Sequence, residues 1–123
     1  MDEPLRISIV DDDASVRRAL DRLCRSAGYI VLAYESAEAF LEFAVDPIDC
    51  LILDVHLMGL SGLQLQQHLH DLGKHIPIVF VTAFEDDSTR LQAIAMGALA
   101  FLQKPLDNEQ LLDVIETSFR HSE

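Results

Sequence analysis

Three carboxylates, a hydroxyl and an ammonium group stand at equivalent places in this 123-residue chain. Each sits at, or just past, the end of a short apolar run. Asp11 and Asp12 follow "LRISIV", Asp54 ends "CLILD", Thr82 ends "PIVFVT" and Lys104 follows "AFLQ". A carboxylate closing a run that reads as buried is costly unless something compensates it. Brought together, three carboxylates at −1 and one lysine at +1 leave a charge of −2. They repel and raise one another's pKa. A hard divalent cation such as Mg²⁺ relieves this, because it prefers oxygen ligands and takes one or two carboxylates together with water. Such a set suits phosphoryl transfer to a carboxylate. Asp54 attacks phosphorus, the cation neutralises the equatorial oxygens, and Lys104 and the Thr82 hydroxyl bind the others.

For these residues to meet, the runs before them must be parallel neighbours. The spacing supports that. Leu5–Val10, Tyr29–Tyr34, Cys50–Asp54, Pro77–Thr82 and Ala100–Gln103 read as five strands. Between them, apolar residues recur at helical spacing. Val16, Leu20, Leu23, Cys24 and Ala27 share one face. Ala37, Phe40, Leu41 and Ala44 follow Ser36, which can cap their helix. Leu65, Leu69 and Leu72 form a third set, residues 87–96 a fourth helix, and Leu111, Leu112, Ile115 and Phe119 a fifth. Gly28, Gly73 and Gly97 stop the first, third and fourth. Strand–helix alternation predicts a parallel sheet covered on both faces, an α/β/α sandwich of three layers. All the candidate residues then lie at the carboxyl ends of the strands, where open α/β sheets bind ligands.

Composition narrows the function. The net charge is −12, from 21 acidic and 9 basic residues. This argues against a surface that grips nucleic acid or anionic lipid, both of which require Lys and Arg. The two cysteines, Cys24 and Cys50, lie among apolar residues and read as buried hydrophobes in a reducing compartment. No secretory leader pattern and no run near membrane-spanning length appears. The sequence therefore predicts one cytoplasmic domain over residues 1–123. Asp13 reads as a helix cap. His68, His70, His75 and His121 read as solvated surface, and so does Arg90 unless it serves dimer or output contacts.

"IVDDDASVR" (9–17), "LILDVHLMGLSG" (51–62), "VFVTA" (79–83) and "GALAFLQKPL" (97–106) together resemble the receiver domain of two-component response regulators. "SAEAFL" (36–41) and Phe101 resemble the FixJ-type subgroup most. The resemblance implies a flavodoxin-like sheet of order 2-1-3-4-5, with Asp54 as phosphoacceptor. It implies that Mg²⁺, with Mn²⁺ as a substitute, is held by Asp11, Asp12, Asp54 and the backbone carbonyl of His56. It assigns Thr82, Ala83 and Lys104 to phosphate binding and switching, with Phe101 as the aromatic that follows Thr82. The donor is a phosphohistidine on a sensor histidine kinase. The protein would catalyse only its own phosphorylation and dephosphorylation. Phosphorylation would change the surface of helix four and strand five, which a partner or a second copy reads.

One departure is local. Where the family usually carries Pro after Leu57, this chain has Met58 and Gly59, which predicts a more mobile loop. His56 and Phe84 stand two residues beyond Asp54 and Thr82, and their bulk predicts slowed hydrolysis of the phosphoryl group. Three other readings compete. A haloacid-dehalogenase-type phosphohydrolase needs a second acid two residues after its nucleophile, where this chain has His56. A degenerate receiver would lack some of the five pocket residues. A stand-alone receiver would act through protein contacts, whereas the FixJ-like features point to a DNA-binding output domain absent from this sequence.

Overall fold

The computed structural model describes residues 3–84 and 86–120, with Arg120 described by its backbone alone. Strands and helices alternate throughout: β1 (Arg6–Val10), α1 (Ala14–Ser26), β2 (Ile30–Tyr34), α2 (Ala37–Phe43), β3 (Cys50–Asp54), α3 (Gly62–Asp71), β4 (Ile78–Thr82), α4 (Asp87–Ala95), β5 (Ala100–Gln103) and α5 (Asn108–Arg120). Every strand pairing is parallel, and the sheet runs β2-β1-β3-β4-β5. The strand order implied by the family resemblance is therefore the order observed.

The central strands show why the runs are continuously apolar. β3 and β4 are buried at every position. Alternate side chains point to opposite faces of a strand. Cys50, Ile52, Val79 and Val81 meet Leu20 and Cys24 of α1 and Leu111 and Ile115 of α5. Leu51, Leu53, Ile78 and Phe80 meet Phe40 of α2, Leu65 and Leu69 of α3 and Ala93 of α4. Both cysteines are buried free thiols. Burial pushes them up to about 11 at Cys24 and about 12 at Cys50, so both are neutral at physiological pH.

Helix ends follow their local chemistry. Asp13 caps α1, its carboxylate accepting from the N–H groups of Ser15 and Val16. Ser36 caps α2 by accepting from Ala39. Ser61 and Gln64 form a reciprocal capping box on α3. Two predicted helix-face positions differ. Ala44 lies past the end of α2 with extended backbone, yet it still packs, half-buried, against the core, and Leu72 caps α3 and is exposed. Both apolar patterns outlast the helix that began them. No helix among the described residues is long and apolar enough to cross a membrane.

Candidate functional site

Register brings the charged ends together. Val10 pairs with Leu53, Asp54 with Val81, and Thr82 with Gln103. The residues that follow β1 and β5 therefore emerge beside the last residues of β3 and β4. Asp11, Asp12 and Asp54 each offer a carboxylate oxygen, all within 4.8 Å of one another. Lys104 Nζ donates to Asp11 Oδ2 at 3.0 Å and to Asp54 Oδ2 at 3.3 Å. The other oxygens of these two acids accept backbone bonds. Asp11 Oδ1 takes the Asp13 N–H at 2.9 Å, and Asp54 Oδ1 takes the His56 N–H at 3.2 Å.

Burial sets the electrostatics. Asp11 and Asp54 are buried, while Asp12 is exposed at the rim. Burial raises the Asp54 pKa above the ordinary carboxylate range, and repulsion from Asp11 adds to it. Attraction to Lys104 and the His56 N–H oppose this without overcoming it. Burial also pulls the Lys104 pKa down, but its bonds to Asp11 and Asp54 prevail and hold it above the ordinary lysine value. The ammonium thus serves as the resident counter-charge between two acids. Oxygen donors only, one of them open to solvent, fit a hard divalent ion that keeps part of its water.

The remaining predicted residues take distinct places. Thr82 is buried, and its hydroxyl is engaged locally, donating to the Phe84 carbonyl and accepting from the Phe84 N–H, both at 3.1 Å. Ala83 is exposed beside it. Phe101 is half-buried, its ring 6.1 Å from that of Phe80. A cleft of about 120 Å³ lies between Thr82, Phe101, Gln103 and Asp86, Asp87 and Arg90 at α4. Arg90 lies 3.6 Å from Asp87 on an exposed face. His56 and Phe84, both exposed, meet edge to face with centroids 5.1 Å apart. His68, His70 and His75 are exposed, as expected of surface residues, and His121 lies outside the described residues.

Four contacts around the site were not foreseen. Arg17 Nη1 donates to the Asp11 carbonyl at 2.8 Å and ties α1 to the acid loop. Asp12 Oδ2 accepts from the Met58 N–H at 3.3 Å. Glu38 Oε2 accepts from the Leu60 N–H at 2.9 Å. Gly62 lies so close to β3 that a Cβ there would be 2.3 Å from the Asp54 carbonyl oxygen. The "SG" that opens α3 was a usable signal for the last. Nothing local marks the other three, because their partners lie 6, 46 and 22 residues away. The same bonds bear on the loop after Asp54. Its Met58–Gly59 sequence predicts looseness, yet carboxylates from two other elements hold its backbone.

Comparison with known proteins agrees with this geometry. The family model described as the response regulator receiver domain matches residues 7–116. Nodulation protein W of Bradyrhizobium diazoefficiens is 44% identical over 110 residues, covering 89% of this chain and 48% of that protein. The transcriptional regulatory protein FixJ of Azorhizobium caulinodans is 36% identical over 124 residues, covering 99% of this chain and 58% of that protein. The chain thus spans about half the length of these relatives. Among solved structures, the N-terminal part of FixJ superposes with a TM-score of 0.86 at 32% identity, covering 98% of this chain and 97% of that one. The response regulator StyR gives 0.87 at 41% identity, over 94% of this chain and 59% of that one. A parallel sheet of this order, an acid cluster at its carboxyl edge and a matched family model over most of its length agree: this chain belongs to the response regulator receiver domain family, whose members take phosphoryl groups from histidine kinases.

Proposed function

We propose that residues 1–123 form a receiver domain in which Asp54 is the phosphoacceptor. The observation that carries this reading is the position of Asp54. It is a buried carboxylate at the end of β3, 3.3 Å from the Lys104 ammonium and within one cluster with Asp11 and Asp12. An Asp54 carboxylate oxygen attacks the phosphorus of a phosphohistidine on a sensor histidine kinase. A P–O bond forms, the P–N bond breaks, and the imidazole leaves and takes up a proton. Lys104 holds a phosphoryl oxygen, and Thr82 and Ala83 approach another. Asp11, Asp12, Asp54 and the His56 carbonyl would hold Mg²⁺ or Mn²⁺, which supplies charge neutralisation at the transferring group. The protein catalyses its own phosphorylation and dephosphorylation and has no other substrate.

The phosphoryl oxygen draws the Thr82 hydroxyl away from Phe84, and Phe101 turns into the cleft beside it. The population shifts toward a state with a changed α4–β5 surface. A second copy of the chain reads that surface. His56 and Phe84 shield the aspartyl-phosphate from water. Relatives named as transcriptional regulatory proteins support coupling to a DNA-binding output domain, with nucleic acid met only through that domain; the protein acts in the cytoplasm.

Intact mass after incubation with acetyl phosphate tests the central step. The expected result is one phosphoryl adduct with Mg²⁺, none with EDTA and none in Asp54→Asn. Wild-type protein that stays unmodified with Mg²⁺ bound would instead mark a receiver used only as a binding surface.

A further inference from the structure

We infer that Glu38 is a positioning residue for the metal site, latching the β3–α3 connection so that its backbone is held against Asp12. This rests on the proposed phosphoacceptor reading and extends it to a residue on a helix that contributes no group to the acid cluster. The connection runs from Val55 to Ser61 and carries His56, whose carbonyl is the proposed backbone ligand. Its ends are fixed by β3 and by the α3 capping box. Its middle is held by two carboxylates reaching in from elsewhere. Asp12 takes the Met58 N–H, and Glu38 takes the Leu60 N–H at 2.9 Å.

Gly59, between them, shows that the fit is close. Its φ is +78°, and a Cβ there would lie 2.4 Å from Glu38 Oε2. The carboxylate therefore sits against the Gly59 Cα, in space that another side chain would fill. The positive φ favours glycine here, and a side chain at this position would displace the Glu38 carboxylate from its seat. An N–H bonded to a carboxylate is roughly twice as strong as a neutral pair. The anchor thus ties down the connection two residues after Met58, at the Leu60 N–H.

The consequence for the site follows from Asp12. It is the exposed member of the cluster, with one oxygen engaged by the Met58 N–H. Met58 stands two residues before the Glu38 anchor. Loss of that anchor lets residues 58–60 shift, and both the Asp12 carboxylate and the His56 carbonyl lose their orientation.

The test pairs two readouts on Glu38→Ala and Glu38→Gln: backbone amide hydrogen exchange, and Mg²⁺ affinity by titration calorimetry. In Glu38→Ala the Leu60 amide should exchange faster while Val79 in β4 keeps its protection. The Mg²⁺ dissociation constant should rise about three- to tenfold, below the effect of changing a direct ligand partner. Glu38→Gln keeps an oxygen acceptor and should fall between Ala and wild type. Should Glu38→Ala fold poorly, Glu38→Asp, one methylene shorter, makes the same comparison. Faster Leu60 exchange with unchanged Mg²⁺ affinity would leave Glu38 a structural role only and overturn the inference. Unchanged Leu60 exchange would overturn it too. Wild-type protein that binds no Mg²⁺ would fail the proposed function itself, and the latch with it.

Discussion

Asp54 is placed where ionisation is unfavourable until something compensates it. Its raised pKa means that the folded state holds the proton more tightly than the unfolded chain does. Stability therefore falls as pH rises from the ordinary carboxylate range through the raised value, and above that window Asp54 is a net cost. Asn carries no charge and keeps one oxygen, which can accept from Lys104 or from the His56 N–H, where Asp54 uses a separate oxygen for each. Metal-free Asp54→Asn should melt a few degrees higher than wild type at pH 7, for about 1 kcal/mol. The gain should shrink as pH is lowered toward the carboxylate range. Thermal melts in EDTA across pH check this, and a lower Tm for the variant at pH 7 would mean that the ion pair with Lys104 outweighs burial. At the rim, Phe84 packs edge to face on His56. Phe84→Ala should shorten the aspartyl-phosphate half-life about two- to tenfold, equal to ~0.4–1.4 kcal/mol of barrier. Following the decay of the adduct mass decides this, and an unchanged half-life would remove Phe84 from the shielding role.

The helix α3 begins where β3 leaves no room. A Cβ on Gly62 would be 2.3 Å from the Asp54 carbonyl oxygen and 3.0 Å from the Val55 Cα, both backbone atoms that cannot step aside. Alanine is the better helix former by about 1 kcal/mol, so propensity alone predicts that Gly62→Ala stabilises. The close approach reverses the sign, and we expect a net loss of about 2 kcal/mol. Urea or thermal unfolding measures it. An unchanged or higher midpoint would mean that α3 can move off β3. Helix starts were legible in the sequence because a cap acts over two or three residues, as Asp13 and Ser36 do. The anchors of the β3–α3 connection were not, because Asp12 and Glu38 reach it from other elements.

Across the whole molecule, the net charge of −12 opposes association between copies. Yet Leu91 and Ile94 of α4 and Leu99 before β5 are exposed apolar residues on the side proposed to switch. Phosphorylated protein should elute as a dimer by size exclusion with light scattering, more so as added salt screens the repulsion. Leu91→Glu should take up the phosphoryl group and remain a monomer. Phosphorylated wild type that stays monomeric at all salt concentrations would assign that face to another partner.

The sequence by itself determined the alternation of strands and helices, the buried character of β3 and β4, and which residues stand at the strands' carboxyl ends. Those features depend on period, run length and caps, which are properties of neighbouring residues. The family motifs, which are also contiguous, fixed the strand order by resemblance. Tertiary structure alone decided how the charges are shared. Lys104 sits between Asp11 and Asp54 although 93 and 50 residues separate it from them. The Thr82 hydroxyl turns to Phe84 rather than to the acids. Glu38 reaches across from α2 to hold the loop where Met58 stands in place of proline. Each is a contact between distant segments, set by which side chains the packed sheet and helices bring within bonding distance, and no local pattern encodes it.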